Sequence, residues 1–258
     1  MNHEHLVPFK GCTPILYRDM TVFWRSKYSE IITTAATPLT FFVIFALGLK
    51  GYIRDVGGIS YVLFVTPGLI SMATLEAAWE ASAWSLWFHR KHQRTIDEYR
   101  VNPITVFDIV NGKILSGFIQ GAFKGVVVAL IILPLAGFNF GAIGVLFYLL
   151  FLVLGSMIFS CIGIICGTLI DKPETLGRVY SVIIMPLIFL GGMFFPIYVY
   201  PKEVLMIVKL LPVTAVFDGA RAAILLGEIE FSYLVILFVY AVVSFALAAY
   251  IFNRKIEE

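Results

Sequence analysis

The chain has 258 residues, of which 60% are apolar, 15% aromatic and only 14% charged, with a mean hydropathy of +0.91. Soluble domains carry about 25% charged residues, so this composition excludes a disordered chain, argues against a soluble globular domain and indicates a polytopic membrane protein. The net charge of +2 is too small to suggest a nucleic-acid partner, and three cysteines without a CxxC form no disulfide framework.

The first 30 residues carry charges at Glu4, Lys10, Arg18, Asp19, Arg25, Lys27 and Glu30 and hold no apolar run, so no cleavable signal peptide is expected. Within them, residues 14–28 predict an amphipathic helix, with Thr13 as cap and Pro14 at its first position. Leu16, Met20, Phe23 and Trp24 share one face, with Arg18, Thr21 and Arg25 opposite. Because Trp24 and Arg25 directly precede a span, the helix is expected to lie in the membrane interface. The alternative is a soluble helix packed on a partner.

A spanning helix needs about 20 residues. Residues 31–49 lack Asp, Glu, Lys and Arg and predict span 1. Residues 56–88 predict span 2, interrupted by Glu76 and Glu80. From Ile114 to Ile170 the only charge is Lys124, and a break at Pro134 and Gly137–Gly141 divides the run into spans 3 and 4. Val179–Phe195 and Tyr233–Phe252 predict spans 5 and 6. The connection at 196–231 is apolar, and Pro201, Pro212 and Gly227 cut it into two pieces too short to span. They predict a re-entrant hairpin on the outer side, with a pair of flat interfacial helices as the alternative.

The reading is an all-α membrane protein with six transmembrane helices, an N-terminal interfacial helix and an outer re-entrant helical hairpin between spans 5 and 6. One transmembrane domain covers 1–258: the tail and interfacial helix at 1–30, spans 1–5 at 31–195, the hairpin at 196–231, and span 6 with its tail at 232–258. Of the 19 Lys and Arg residues, 13 fall on the side of the termini, five on the other, and Lys124 lies within a span. The positive-inside rule then places both termini in the cytoplasm.

The largest loop on that side, 89–113, holds a capping-box pattern at Thr95 and Glu98 and a stop at Asn102-Pro103. A short helix is expected over Ile96, Asp97, Glu98, Tyr99, Arg100 and Val101, either as a docking element or as an ordinary solvated loop. Glu76 and Glu80 share a face of span 2. Glu76 lies roughly 18 Å from Phe88, and Lys124 roughly 16 Å from Lys113. This matched depth suggests a Glu76–Lys124 pair, serving either as a polar lining of a substrate route or as a structural contact. Gly117, Gly121 and Gly125 on span 3, and Ser156, Ser160, Gly163 and Gly167 on span 4, allow close helix approach within one protomer or between two. Trp84, Trp87 and Phe88 suit an interfacial belt. His3, His5, His89 and His92 define no metal site, and no catalytic residue is assigned, since the chain lacks GxxxxGK[ST], HExxH and GxSxG.

Three groups of residues together resemble the membrane subunit of a type-2 ABC exporter, nearest the permeases that export lipo-oligosaccharides, lipid-linked polysaccharides or drugs. The first is Pro67-Gly68-Leu69-Ile70 with Glu76 and Trp79. The second runs from Gln93-Arg94-Thr95 through Asp108-Ile109-Val110-Asn111-Gly112-Lys113. The third combines Gly191-Gly192-Met193-Phe194-Phe195-Pro196 with Leu211-Pro212-Val213-Thr214 and Asp218-Gly219-Ala220-Arg221. The resemblance implies a multi-pass protein of the cell inner membrane, in which two copies of the permease, as a homodimer in contact with membrane lipid, work with two separate P-loop ATPase subunits. ATP and Mg would bind those subunits, and no cofactor would bind this chain. It implies ATPase coupling through Ile96–Val101, an interfacial helix bearing Arg18, Phe23, Trp24 and Arg25, and an outer hairpin marked by Pro196, Pro212, Asp218 and Arg221. The implied function is ATP-driven export of an amphipathic substrate, most simply a lipid-linked glycan or lipo-oligosaccharide. Drug or lipid efflux is the alternative, and a stand-alone channel or lipid-acting enzyme is more remote.

Overall fold

A computed structural model describes residues 11–49, 52–53, 55–93, 104–137 and 141–257. The polypeptide is almost wholly helical. Helix α1 (Cys12–Arg25) ends at Ser26. Helix α2 (Lys27–Phe41) follows at once and continues through a π-helical stretch, Phe42–Leu47. A two-residue hairpin pairs β1 (Asp55–Val56) with β2 (Ile59–Ser60). Its turn is Gly57-Gly58, both at positive φ, the backbone that tight hairpins require. The long helices are α3 (Tyr61–Lys91), α4 (Val106–Ala136) and α5 (Ala142–Leu169). Helix α6 begins at Pro173, passes through π-helical Tyr180–Ile184 and ends at Leu190. Helices α7 (Lys202–Leu210) and α8 (Pro212–Arg221) form the hairpin, and α9 (Phe231–Glu257) closes the chain.

Among the described residues, six helices are long and apolar enough to cross a membrane: Tyr28–Leu47, α3, α4, α5, Pro173–Leu190 and Phe231–Lys255. All six expected spans are therefore present, with shifted ends. Span 3 starts at Val106 because Thr105 and Asp108 form a reciprocal capping box. Span 5 starts at Pro173, the residue best suited to a first helical turn, and stops at Gly191-Gly192, where Gly192 has φ +88°. The N-terminal helix starts earlier than expected, at Cys12, with Gly11 rather than Thr13 at the cap position.

Helix α3 is the hub. Burial covers 89% of its most apolar window, against 11% for the sixth span. The glycine stripes explain this. Ideal Cβ atoms would meet Thr74 O at 2.7 Å from Gly121, Trp79 O at 2.7 Å from Gly163 and Ala83 O at 2.6 Å from Gly167. One built on Gly117 would collide with Ser160 Oγ. Both stripes thus serve contacts inside this protomer, drawing α4 and α5 onto the backbone of α3. Helix α9 lays Leu237, Ala241, Ser244, Ala248 and Phe252 inward, a single stripe against α5. Helix α8 is buried along nearly its whole length, whereas α7 buries only Val208. Adding one methyl at Gly121 should test the hub. Gly121→Ala is expected to cost about 1–3 kcal/mol, the usual penalty of overpacking, read as a loss of stability in detergent unfolding, whereas Gly137→Ala, with open space around its Cβ, costs only the strain of its positive φ.

Candidate functional site

The buried face of α1 is Cys12, Ile15, Asp19 and Phe23. This corrects the expected face: Trp24 is 52% exposed, and Arg18 turns inward rather than lying opposite the apolar side. Asp19 is the reason. Its carboxylate accepts a hydrogen bond from Lys113 Nζ at 2.7 Å, and both side chains are almost fully buried. Lys113 also donates to Ser85 Oγ at 2.6 Å and to His89 Nδ1 at 2.9 Å. Arg18 donates to the same Nδ1 at 2.7 Å. Two cationic donors on one ring nitrogen require it to be an acceptor, so the His89 proton sits on Nε2. Burial pushes the Asp19 carboxyl up, but the charge and hydrogen bond of Lys113 outweigh it, and the group titrates below its usual range. Phe23 and Trp24 meet Phe123 of α4 edge-on, at 5.2 Å and 5.5 Å between ring centres. Arg25 is exposed.

The end of α3 is tied to the α5–α6 connection. Arg90 donates to Gly167 O and Ile170 O and pairs with Asp171 at 2.8 Å. Lys91 pairs with the same carboxylate at 2.9 Å. The hydrogen bond from Lys91, aided by Arg90, holds Asp171 below the ordinary carboxylate range. Trp87 Nε1 donates to Asp171 O. The belt expected for Trp84, Trp87 and Phe88 is thus divided: Trp87 holds this connection, while Trp84 and Phe88 line a cavity.

Deeper in the bundle, Lys124 pairs with Glu30 of α2 at 2.9 Å and with Glu80 of α3 at 3.7 Å. The expected Glu76–Lys124 pair is replaced. Glu76 accepts a hydrogen bond from Tyr180 Oη at 2.6 Å. The cause is side-chain lean. Cβ atoms tilt towards the N-terminus of their own helix. Helices α3 and α4 run in opposite directions, so Lys124 leans towards the Asp19 end while Glu76 leans away from it. Glu80, one turn nearer that end, meets the lysine instead. Equal depth of the Cα atoms was not enough. Tyr180 lies in a π-helical stretch, a local irregularity frequent at functional sites.

These groups line two adjoining cavities of about 390 and 250 Å³. Glu30, Glu80 and Lys124 belong to both. Together they form a trough bounded by α1, α2, α3, α4 and α6, aromatic at the Asp19 end and hydroxyl-rich at the other, where Thr33, Thr34 and Thr37 face Glu76 and Tyr180. Sequence reasoning found Glu76, Glu80 and Lys124 but missed Asp19, Glu30, His89, Lys113 and Tyr180. For Asp19 a signal existed, since it shares the helical face of Ile15 and Phe23.

The opposite end holds Arg221, 7% exposed. Its guanidinium donates to Phe64 O at 3.0 Å, Gly192 O at 2.9 Å and Asp218 Oδ1 at 2.8 Å, and lies 3.7 Å over the Phe64 ring. Asp218 and Arg221 therefore fasten α8 to the start of α3 and to the turn after α6. Pro196 follows that turn as the residue before the short 3₁₀ segment Ile197–Val199, and Pro212 opens α8. Ile96, Asp97, Glu98, Tyr99, Arg100 and Val101 lie outside the described residues.

A family model described as ABC-2 type transporter matches residues 12–225. The inner membrane transport permease YadH of Escherichia coli (strain K12) is 29% identical over 221 residues, which is 86% of this chain and 84% of that protein. Nodulation protein J of Rhizobium meliloti (strain 1021) is 23% identical over 243 residues, 90% of this chain and 92% of that one. Nodulation protein J of Rhizobium leguminosarum bv. viciae is 22% identical over 241 residues, 93% and 92% of the two chains.

The α1 anchor yields a direct test. Asp19→Asn leaves Lys113 buried without its counter-charge and is expected to cost about 3–5 kcal/mol. Because the Asp19 pKa is depressed in the folded protein, its stabilisation is present above the usual carboxylate range and fades as pH falls through the lowered value. The stability gap between wild type and Asp19→Asn, followed by detergent unfolding, should therefore narrow on acidification below that range and stay constant above it.

Proposed function

The chain belongs to the ABC-2 type transporter family, and on that premise we propose that it is the transmembrane permease of an ATP-driven exporter that moves an amphipathic substrate out of the cytoplasm or inner leaflet. A lipid-linked glycan or lipo-oligosaccharide is the proposed cargo; a drug or a lipid is the second reading. The observation that carries the proposal is the trough itself. Charged groups inside an apolar bundle are costly and are retained where they line a route or bind a group. Among the described residues, four carboxylates (Asp19, Glu30, Glu76 and Glu80) and one ammonium, Lys124, line open space among five helices.

The similarity to an inner membrane transport permease and the six apolar helices support residence in the cell inner membrane. The excess of Lys and Arg on the side of the termini supports a cytoplasmic location for both ends. The chain carries no GxxxxGK[ST], so the proposed energy source is a pair of P-loop ATPase subunits holding ATP and Mg, docked against a homodimer of this permease. Ile96–Val101 is the proposed coupling helix. Helix α1, fixed to α3 and α4 through Asp19 and Lys113, is the proposed second contact, with exposed Arg25 available to it. Burial of α8 among α3, α5 and α9, set against the exposure of α7, supports a hairpin that dips into the outer leaflet.

Two measurements test this. Single cysteines at Lys202 and Glu228, in a background lacking Cys12, Cys161 and Cys166, should both label from outside the cell; labelling of either from the cytoplasm alone would overturn the topology. Replacing Asp97, Tyr99 and Arg100 by alanine should preserve folding and dimerisation yet cut transport and ATPase co-purification by about tenfold, the loss expected when a few central contacts go. Full transport with the partner still bound would place the coupling elsewhere.

A further inference from the structure

Resting on the reading that the trough carries substrate, we infer that the substrate is an amine-bearing amphiphile whose ammonium group competes with Lys124 for the carboxylates of Glu30 and Glu80. The first argument is charge. Asp19, which also lines the trough, is already paired with Lys113, so Glu30, Glu76 and Glu80 are left facing one cation, Lys124, among the described residues of the trough. Glu76 is served by the neutral hydroxyl of Tyr180. Ionised, the three acids leave an excess of negative charge within the apolar bundle, which a bound cation relieves and an anionic headgroup worsens.

The second argument is a stand-in already present. Lys124 Nζ is a primary ammonium held 2.9 Å from one carboxylate and 3.7 Å from another. The site is thus shaped for that group. The Lys124 stem is flexible and its head is a compact point charge, so the lysine can yield to a ligand of the same chemistry. The unequal distances leave Glu80, with its side chain 43% exposed, the more available acid.

The third argument is the wall. Phe23, Trp84 and Phe88 line the wider cavity beside Glu80. Aromatic faces next to carboxylates recognise organic cations, and the same rings offer apolar surface to the rest of an amphiphile. Further in, Thr34 Oγ1 is buried with no hydrogen-bond partner among the described residues on a wall shared with Thr33 and Thr37, which provides hydroxyl contacts for a polar headgroup. A cavity of about 390 Å³ falls within the range that holds small organic ligands.

The test uses the whole chain in phosphatidylcholine nanodiscs, titrated with a dansyl-tagged dodecylammonium and with dodecyl sulfate and dodecyl maltoside analogues carrying the same tag, and read by energy transfer from tryptophan. The ammonium probe should saturate and bind at least about tenfold more tightly than the sulfate, the scale of one charge-assisted hydrogen bond. Glu80→Gln should weaken the ammonium probe by about tenfold. Lys124→Gln should tighten it, because the resident competitor is gone; misfolding does not produce tighter binding. Equal binding of the three probes, or a shift in the same direction for both substitutions, overturns the inference. The exporter reading is scored apart, in proteoliposomes of permease and ATPase together. Saturable ammonium binding with no ATP-driven movement of the probe overturns the exporter and leaves the cation site. Export indifferent to headgroup and to both substitutions overturns the cation site and leaves the exporter.

Discussion

Everything in this molecule depends on how closely α4 and α5 approach α3. Glycines at 117, 121, 163 and 167 place neighbouring backbones where a side chain would otherwise stand. In a bilayer there is little hydrophobic drive between apolar helices, so dense packing and polar contacts must hold them. Close approach supplies the first and sets the register of the second. Lys113 reaches Ser85 and His89 only because Gly117, one turn on, lets α4 lie against Ala78 and Ser82. The same contact fixes the height of Lys124 beside Glu80.

The two lysines of α4 form a ladder with two acids of the N-terminal helices. Lys113 and Lys124 are 11 residues apart, three helical turns, and so share a face. Asp19 and Glu30 are also 11 residues apart, on α1 and α2. The rungs are Lys113–Asp19 at 2.7 Å and Lys124–Glu30 at 2.9 Å. They differ in kind. The lower rung is almost completely buried and further satisfied by Ser85 and His89, which makes it an anchor. The upper rung is open to the trough on one side. Helix α1 is therefore bonded to the same helix that carries the trough's only cation among the described residues.

Much of this architecture is legible in the sequence, because charge-free runs and turn residues report directly on spans. The hairpin follows from Pro201, Pro212 and Gly227, whereas charge counting alone starts spans 3 and 5 at Ile114 and Val179, later than the capping box of Thr105 and Asp108 and the first-turn Pro173 begin them. Close packing by the glycine stripes is legible too, although the partner helix is not. The pairing of charges is harder to read. Depth along a helix is a one-dimensional quantity, while contact depends on rotation and on the lean of each side chain. That is why Glu76 and Lys124, matched in height, pass each other, and why Glu30, on a helix not weighed for Lys124, takes its place. Asp19 is hard to read for a related reason: it shares a face with Ile15 and Phe23, and a charge on an apolar face is buried only where a counter-charge on another helix meets it, here Lys113. The Ile96–Val101 segment, legible as a capped helix, lies outside the described residues.

The distribution of compensation separates the trough from the rest of the polar interior. At the end bearing the termini, Arg18, Arg90, Lys91 and Lys113 meet Asp19 and Asp171, with His89 and main-chain carbonyls taking the remaining donors. At the opposite end, Arg221 alone satisfies Asp218 and the carbonyls of Phe64 and Gly192 while stacking on an aromatic ring, a planar multi-donor role that a lysine does not reproduce. The buried groups among these are held against carboxylates or carbonyls in closed networks, the arrangement that rigidifies a fold. Between the two ends, among the described residues, acids outnumber cations around the open space of the trough. Because replacing a buried ion pair by well-packed apolar residues is often neutral or stabilising, stability alone does not account for the acids and the lysine between the two ends. In the exporter proposed above, that surplus of acidic groups would line the substrate route and act on whatever enters the trough.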